Sequence, residues 1–279
     1  MNLEELIKNG SKKLKKSKVN SSLLDAEIIL SDLMGTTREF LITNTNINIP
    51  NSIKKKFNQA INRRINNEPV AYIIGKRDFW SETFKVSKAT LIPRPETELL
   101  IYKVIKFFRN RSINILDIGT GSGCILLSIL KELKFSRGTG IDISNSAIKI
   151  AIKNARKFNL SNRSKFEVCD IDKFNLGKYD LIVSNPPYIP SKEIKELSKD
   201  IRSHEPEIAI NGGKDGLDLI KKVIYKSSVL LKRNGLFAIE IGTNQYLRVS
   251  TVMNKYGFRL IGKEFDYNNN VRCIISTKA

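Results

Sequence analysis

Ile115-Leu116-Asp117-Ile118-Gly119-Thr120-Gly121-Ser122-Gly123-Cys124 is an apolar run carrying one acid, followed by three alternating glycines. It reads as a strand that turns sharply into a helix. Glycine permits positive φ and lets a ligand approach the backbone with no Cβ in the way. The spacing is GxGxG, whereas a dinucleotide fingerprint is GxGxxG, with its third glycine packing helix on strand. On this stretch alone a nicotinamide or other nucleotide site stays open.

Downstream, apolar and β-branched runs predict further strands at Gly138 to Ile141, Lys165 to Val168, Tyr179 to Ser184, Leu236 to Ile241, Phe258 to Gly262 and Val271 to Ser276. Helical spacings fall at Glu96 to Arg109, Ser146 to Phe158 and Leu217 to Leu231. Such alternation calls for a mostly parallel, doubly wound α/β sheet, with any ligand in the crevice beyond the carboxyl ends of its strands. Upstream, Leu3, Leu6, Ile7, Leu23, Leu24, Ile28, Ile29 and Leu33 recur at helical spacing, so residues 1–68 read as a small helical domain. Glu68-Pro69 breaks that pattern, and the alternating stretch from Phe79 to Pro93 makes residues 69–94 a β-hairpin linker, leaving 95–279 as the α/β domain.

Two more strands are expected to end in acids. Asp142 follows Gly123 by 19 residues, where a carboxylate can accept both hydroxyl hydrogens of a ribose; at Cys169-Asp170-Ile171 the acid can accept from an adenine amino group while Ile171 covers the ring. The fourth strand runs into Asn185-Pro186-Pro187-Tyr188. Two prolines make a rigid turn. An amide or aryl amino nitrogen is a poor nucleophile because its lone pair is delocalised, and two acceptors aimed at its hydrogens orient that lone pair and favour the charge that develops on it. The Asn185 side-chain oxygen and the Pro186 carbonyl can be those acceptors, with Pro187 stiffening the turn and Tyr188 offering a flat face to a planar amide or base.

Composition narrows the setting. The 279 residues are 41% hydrophobic, enough for a substantial core, and hold no apolar run approaching the roughly 18 residues that span a bilayer. The first residues, MNLEELIKNGSKKLKK, lack the apolar centre of a signal peptide, so a cytoplasmic protein is expected. Cys124, Cys169 and Cys273 form no CxxC pair and have one histidine, His204, between them, so no metal site is expected. A net charge of +20 would attract nucleic acid or an acidic protein. It is spread evenly, however: the first 70 residues carry 12 basic and 7 acidic groups and the remaining 209 carry 36 and 21, so no basic arm stands out.

Gly119 to Gly123, Asp142 and Asn185 to Tyr188 together resemble the class I methyltransferases that act on exocyclic amino groups. Three segments resemble one family more closely, that of the release factor glutamine N5-methyltransferases: Glu68 to Glu98 (EPVAYIIGKRDFWSETFKVSKATLIPRPETE), His204-Glu205-Pro206 followed by Asn211 to Leu217 (NGGKDGL), and Asp266 to Arg272 (DYNNNVR). The resemblance implies a Rossmann-like class I fold, S-adenosyl-L-methionine as cofactor, class 1 peptide chain release factors as partners, and methylation of the glutamine of their Gly-Gly-Gln motif. Membrane and nucleic acid are not required. It further implies cofactor contacts from Gly119, Thr120, Gly121, Ser122 and Gly123, from Asp142, Asp170 and Ile171, and from Asn185. Asn185 and Pro186 would be catalytic, and Asn185, Pro186, Pro187 and Tyr188 would hold the glutamine. Phe79, Trp80 and the Ile92 to Pro95 turn are expected at the entrance. The rival activity is a DNA or RNA amino-methyltransferase of the adenine N6 type; a non-catalytic module that binds an adenosyl ligand would have no use for an intact Asn-Pro-Pro-Tyr.

Overall fold

The computed structural model describes residues 2–278. The chain divides into two units, one running to Lys76 and taking in Ser198–His204, the other comprising Arg77–Leu197 and Glu205 onward. In the first unit, helices span Leu3–Lys16, Ser22–Met34, Arg38–Thr43, Asn51–Ile65 and Val70–Ile74. A reciprocal cap starts the chain of helices: Glu5 N–H donates to Asn2 Oδ1 at 2.9 Å and Asn2 N–H donates to Glu5 Oε2 at 3.2 Å, satisfying amides that the first turn leaves unpaired. Leu6, Leu14, Ile29, Leu30, Phe57 and Ile61 close the core between the helices. Arg64 and Asp25 pair at 2.7 Å, both largely buried, so neither charge is left uncompensated.

A two-stranded sheet follows, β1 Lys76–Phe79 and β2 Glu82–Lys85, all of it but Lys76 in the second unit. Trp80 and Ser81 join them with φ of 49° and 59°, the left-handed pair of a tight hairpin turn. The main sheet holds β3 Asn114–Ile118, β4 Arg137–Asp142, β5 Ser164–Val168, β6 Tyr179–Ser184, β7 Leu231–Glu240, β8 Phe258–Phe265 and β9 Val271–Lys278. Its order is β5-β4-β3-β6-β7-β9-β8. From β5 to β7 every pairing is parallel, while β9 is antiparallel to β7 and to β8. Only Asp266 to Asn270 connects β8 to β9, too short for a crossover, so that pair must be a hairpin.

Alternate residues of each strand feed opposite layers. Ile115, Leu181, Val183 and Leu236 pack with Leu100, Ile101 and Val104 of helix Glu98–Phe108 and with helix Cys124–Glu132. Leu116, Ile118, Ile182, Phe237 and Ile239 pack with helices Asp218–Leu230 and Tyr246–Lys255. Burying a side chain such as Phe237, with no exposed surface, contributes roughly 1.5–3 kcal/mol. Where both faces are covered, in β3, β6 and the second half of β7, the strands are largely apolar, whereas the edge strands β5 and β8 carry exposed polar residues. β3 and β6 lie side by side at the point where the winding reverses, and this opens the crevice at their carboxyl ends. Among the described residues no helix is long and apolar enough to cross a membrane.

Candidate active site

At the end of β3 the chain turns through the glycine loop. Gly119 and Thr120 donate N–H to Ile141 O of β4 at 2.9 and 3.0 Å, which ties the loop to the neighbouring strand. Gly119, Gly121 and Gly123 have φ of 75°, 56° and 78°. A Cβ on Gly119 or Gly121 would meet no described atom within 4 Å, so the space above them is open, whereas one on Gly123 would press within 3.3 Å of Leu127, Ala151 and Phe166. Gly123 is therefore a packing glycine. Helix Cys124–Glu132 begins there with no side-chain cap from Gly123, and its Leu126 amide turns toward the Asp117 carboxyl.

Two acids brace this loop. Asp117 is fully buried, its Oδ2 accepts from Thr120 Oγ1 at 2.7 Å, and burial pushes its carboxyl up to about 7. Asp142 receives Gly121 N–H on Oδ2 and Ser144 N–H on Oδ1, both at 2.9 Å. Each oxygen thus keeps one further acceptor site. Burial raises the Asp142 carboxyl, opposed by those two amides. Gly140 on β4 went unnoticed in the sequence: a Cβ there would stand 2.7 Å from Thr120 Oγ1 and 2.8 Å from the Phe166 ring. A glycine inside a strand is the signal that could have marked it.

β6 ends in Ser184, whose buried hydroxyl donates to Ile118 O at 2.7 Å and sets the height of the next residue, Asn185. Asn185 Nδ2 donates to Thr97 Oγ1 at 3.2 Å, and Thr97 donates to Glu240 Oε2 at 2.6 Å. Glu240 ends β7 and is fully buried; burial raises its carboxyl, opposed by the Thr97 hydroxyl and by Arg272. Tyr188 donates to Glu240 Oε1 at 3.4 Å and accepts from Arg272 Nη2 at 2.8 Å, and burial together with Glu240 pushes the phenol up to about 12. Behind the turn, Gln245 Nε2 donates to Tyr188 O at 2.9 Å, and Gly212 N–H donates to Ile189 O at 2.8 Å. A Cβ on Gly212 would lie 2.8 Å from Tyr188 Cα, so the Asn211 to Leu217 segment serves to back the turn at close range.

These elements enclose a cavity of about 280 Å³. Gly119, Thr120, Gly121 and Ser122 line it, as do Asp142, Asp170 and Ile171, and Asn185, Pro186 and Pro187. Gly123 and Tyr188 are not among its lining residues. Of the expected entrance residues Pro93 and Arg94 line it, and Arg94 is held by Glu205 at 2.5 Å. Phe79 and Trp80 do not: Phe79 is 3% exposed within the core, and Trp80 packs against that core with its indole N–H on Glu132. The entrance reading is corrected at these two positions because the hairpin turn points its aromatic rings inward. Thr97, Glu240 and Arg272 were not identified as a set from the sequence, although Glu240 is conspicuous as the single acid within Leu236 to Ile241.

Such a sheet, with an acid-braced glycine loop after β3 and an Asn-Pro-Pro turn after β6, has the fold of a class I methyltransferase. Residues 5–75 match the PrmC N-terminal domain family and residues 109–270 match the Methyltransferase domain family. The catalytic domain of hMettl16, bound to an RNA hairpin, has the same fold with a TM-score of 0.60 at 14% identity, over 84% of each chain. Among curated relatives, the release factor glutamine methyltransferase of Buchnera aphidicola subsp. Schizaphis graminum is 41% identical over all of both chains. That of Bradyrhizobium diazoefficiens is 38% identical over 86% of this chain and 82% of its own. The chain belongs to the release factor glutamine methyltransferase family.

Proposed function

We propose that this protein transfers a methyl group from S-adenosyl-L-methionine to the side-chain amide nitrogen of the glutamine in the Gly-Gly-Gln motif of class 1 peptide chain release factors, in the cytoplasm. The observation that carries this reading is that one cavity brings together Asp142, the open backbone of Gly119 and Gly121, and the Asn185-Pro186 edge. The donor set fits the cofactor. Asp142 retains an acceptor site on each oxygen for two ribose hydroxyls, Ile143 and Ile171 offer apolar surface to adenine, and the positive end of the helix that starts at Cys124 favours a carboxylate. When bound, the cofactor supplies an electrophilic methyl group on a sulfonium.

The chain's own contribution is orientation and charge. Asn185 Oδ1 and the Pro186 carbonyl accept the two amide hydrogens, so the nitrogen lone pair is directed into the cavity and the positive charge developing on nitrogen is stabilised. Neither proline has an N–H, so their backbone offers this edge acceptors only. After transfer the cationic nitrogen is acidic and loses its proton to solvent, so no general base is required. In the same reading residues 1–68 recognise the release factor, 69–94 link, and 95–279 carry the chemistry.

Labelled cofactor incubated with the purified protein and, separately, a class 1 release factor and duplex DNA tests this. Label should enter the factor at its glutamine and be absent from DNA. Label in DNA alone would make the protein an adenine amino-methyltransferase instead. Asn185→Ala should lower kcat on the factor by roughly 10² or more while cofactor still binds.

A further inference from the structure

An asparagine amide can face a pocket with its oxygen or with its NH2, and the two ends have nearly the same shape. Only the oxygen end can accept from an incoming amino group. We propose that Glu240 and Thr97 are positioning residues that lock Asn185 with its oxygen toward the cavity, so that the site presents the substrate's hydrogen-bearing amide nitrogen to the methyl donor and turns away its carbonyl oxygen, which has no hydrogen to donate. This rests on the proposed glutamine methylation, since the lock has a use only where Asn185 accepts from the substrate.

The argument follows the hydrogens. Thr97 is buried in the turn Pro95–Thr97 and has one hydroxyl proton, which goes to Glu240 Oε2 at 2.6 Å. Towards Asn185 its oxygen can then only accept, so the group 3.2 Å away must be Nδ2, and Oδ1 is left for the cavity. The direction of this relay holds while Glu240 remains a carboxylate. Its other oxygen receives the Tyr188 hydroxyl, and Arg272 Nη2 stands 3.7 Å from that oxygen, supplying the positive charge that a buried carboxylate requires. Arg272 also donates to the Tyr188 oxygen at 2.8 Å, which leaves the phenol proton free to turn toward Glu240. Every donor around Glu240 therefore points inward, and the relay has one sense: Asn185 to Thr97 to Glu240. Its members come from the loop before helix Glu98–Phe108, the end of β6, the end of β7 and the start of β9, so four separate segments converge on the orientation of one amide.

Thr97→Val keeps the shape of the side chain and removes the hydroxyl. Its kcat on an intact release factor should fall by about 10- to 100-fold, with KM for the factor and calorimetric cofactor affinity within about twofold of wild type; Thr97→Ser should restore kcat to within about threefold. A second readout is independent of turnover. In nitrogen-15 spectra of the full-length protein, the side-chain amide signals identified by their loss in Asn185→Ala should be protected from solvent exchange in wild type and Thr97→Ser, and unprotected in Thr97→Val. Wild-type kcat in Thr97→Val, or freely exchanging Asn185 amide protons in the wild-type protein, overturns the lock. If the release factor is not methylated at all, the proposed function fails while the exchange measurement still decides whether the amide is held.

Discussion

Asp142→Ala removes the carboxylate with the most defined geometry in the cavity. Its two oxygens are each half used, one by Gly121 N–H and the other by Ser144 N–H at 2.9 Å, so the free acceptor sites lie side by side and match adjacent hydroxyls of one ribose. A hydrogen bond to a charged group contributes about 1.5–3 kcal/mol. Two made to one ring share the loss of freedom, so the pair should contribute about 2–4 kcal/mol, or roughly 30- to 1,000-fold in Kd. Releasing the Gly121 and Ser144 amides should also lower stability by about 1–3 kcal/mol, which calls for urea unfolding before any binding measurement. Titration calorimetry with S-adenosyl-L-methionine then reads the affinity. Asp142→Asn sharpens the case, because its NH2 would have to face one of those two backbone N–H groups; it should bind no better than alanine. A folded Asp142→Ala that binds cofactor within threefold of wild type, or an Asp142→Asn with native affinity, would refute the reasoning.

Asp117 predicts an unusual pH dependence. Its carboxyl stands near 7 in the fold against 3.8 for an ordinary aspartate, so between those values the folded state holds a proton that the unfolded chain has lost. Stability should therefore fall as pH rises across that window, by on the order of 4 kcal/mol in all. Asp117→Asn should flatten the slope in urea unfolding followed from about pH 4 to about pH 8, and an unchanged slope would assign it to another group. In the helical unit, a Cβ on Gly10 would stand 2.7 Å from the ring of Phe57, which is fully buried. Alanine gains about 1 kcal/mol of helix propensity there and loses about 1–3 to overpacking, so Gly10→Ala should lower stability by about 1 kcal/mol; a higher melting temperature would contradict this.

What the sequence disclosed was local. Tyr179–Ser184 was readable as a strand because its apolar run is bounded by polar residues, and the acids at Asp117 and Asp142 stood out against their apolar neighbours. β7 begins at Leu231, five residues before its apolar core, because Lys232, Arg233 and Asn234 hide the start; Asn234 has φ of 60° and the pairing with β6 shifts register there. The antiparallel insertion of β9 between β7 and β8 left no trace in periodicity, which reports faces and not neighbours. The Thr97-Glu240 contact joins residues 143 apart in sequence, so no local pattern could report it.

The buried acids show why those long-range contacts exist. Asp117, Asp142 and Glu240 stand in or at the ends of β3, β4 and β7, and burial raises all three. An apolar residue would pack these places at lower cost in free energy, so stability alone would not select them. Their partners differ in kind. Asp117 and Asp142 accept from the glycine loop and its surroundings, which fixes backbone over the open part of the cavity. Glu240 accepts from side chains that reach Asn185, which fixes an amide. The sheet supplies the positions, since parallel strands end together on one edge, and the acids turn that edge into two separately braced halves of one cavity. A change that relaxes the glycine loop should therefore be felt first in cofactor affinity, and one that relaxes the Glu240 cluster first in kcat, although the two halves meet at the same pocket.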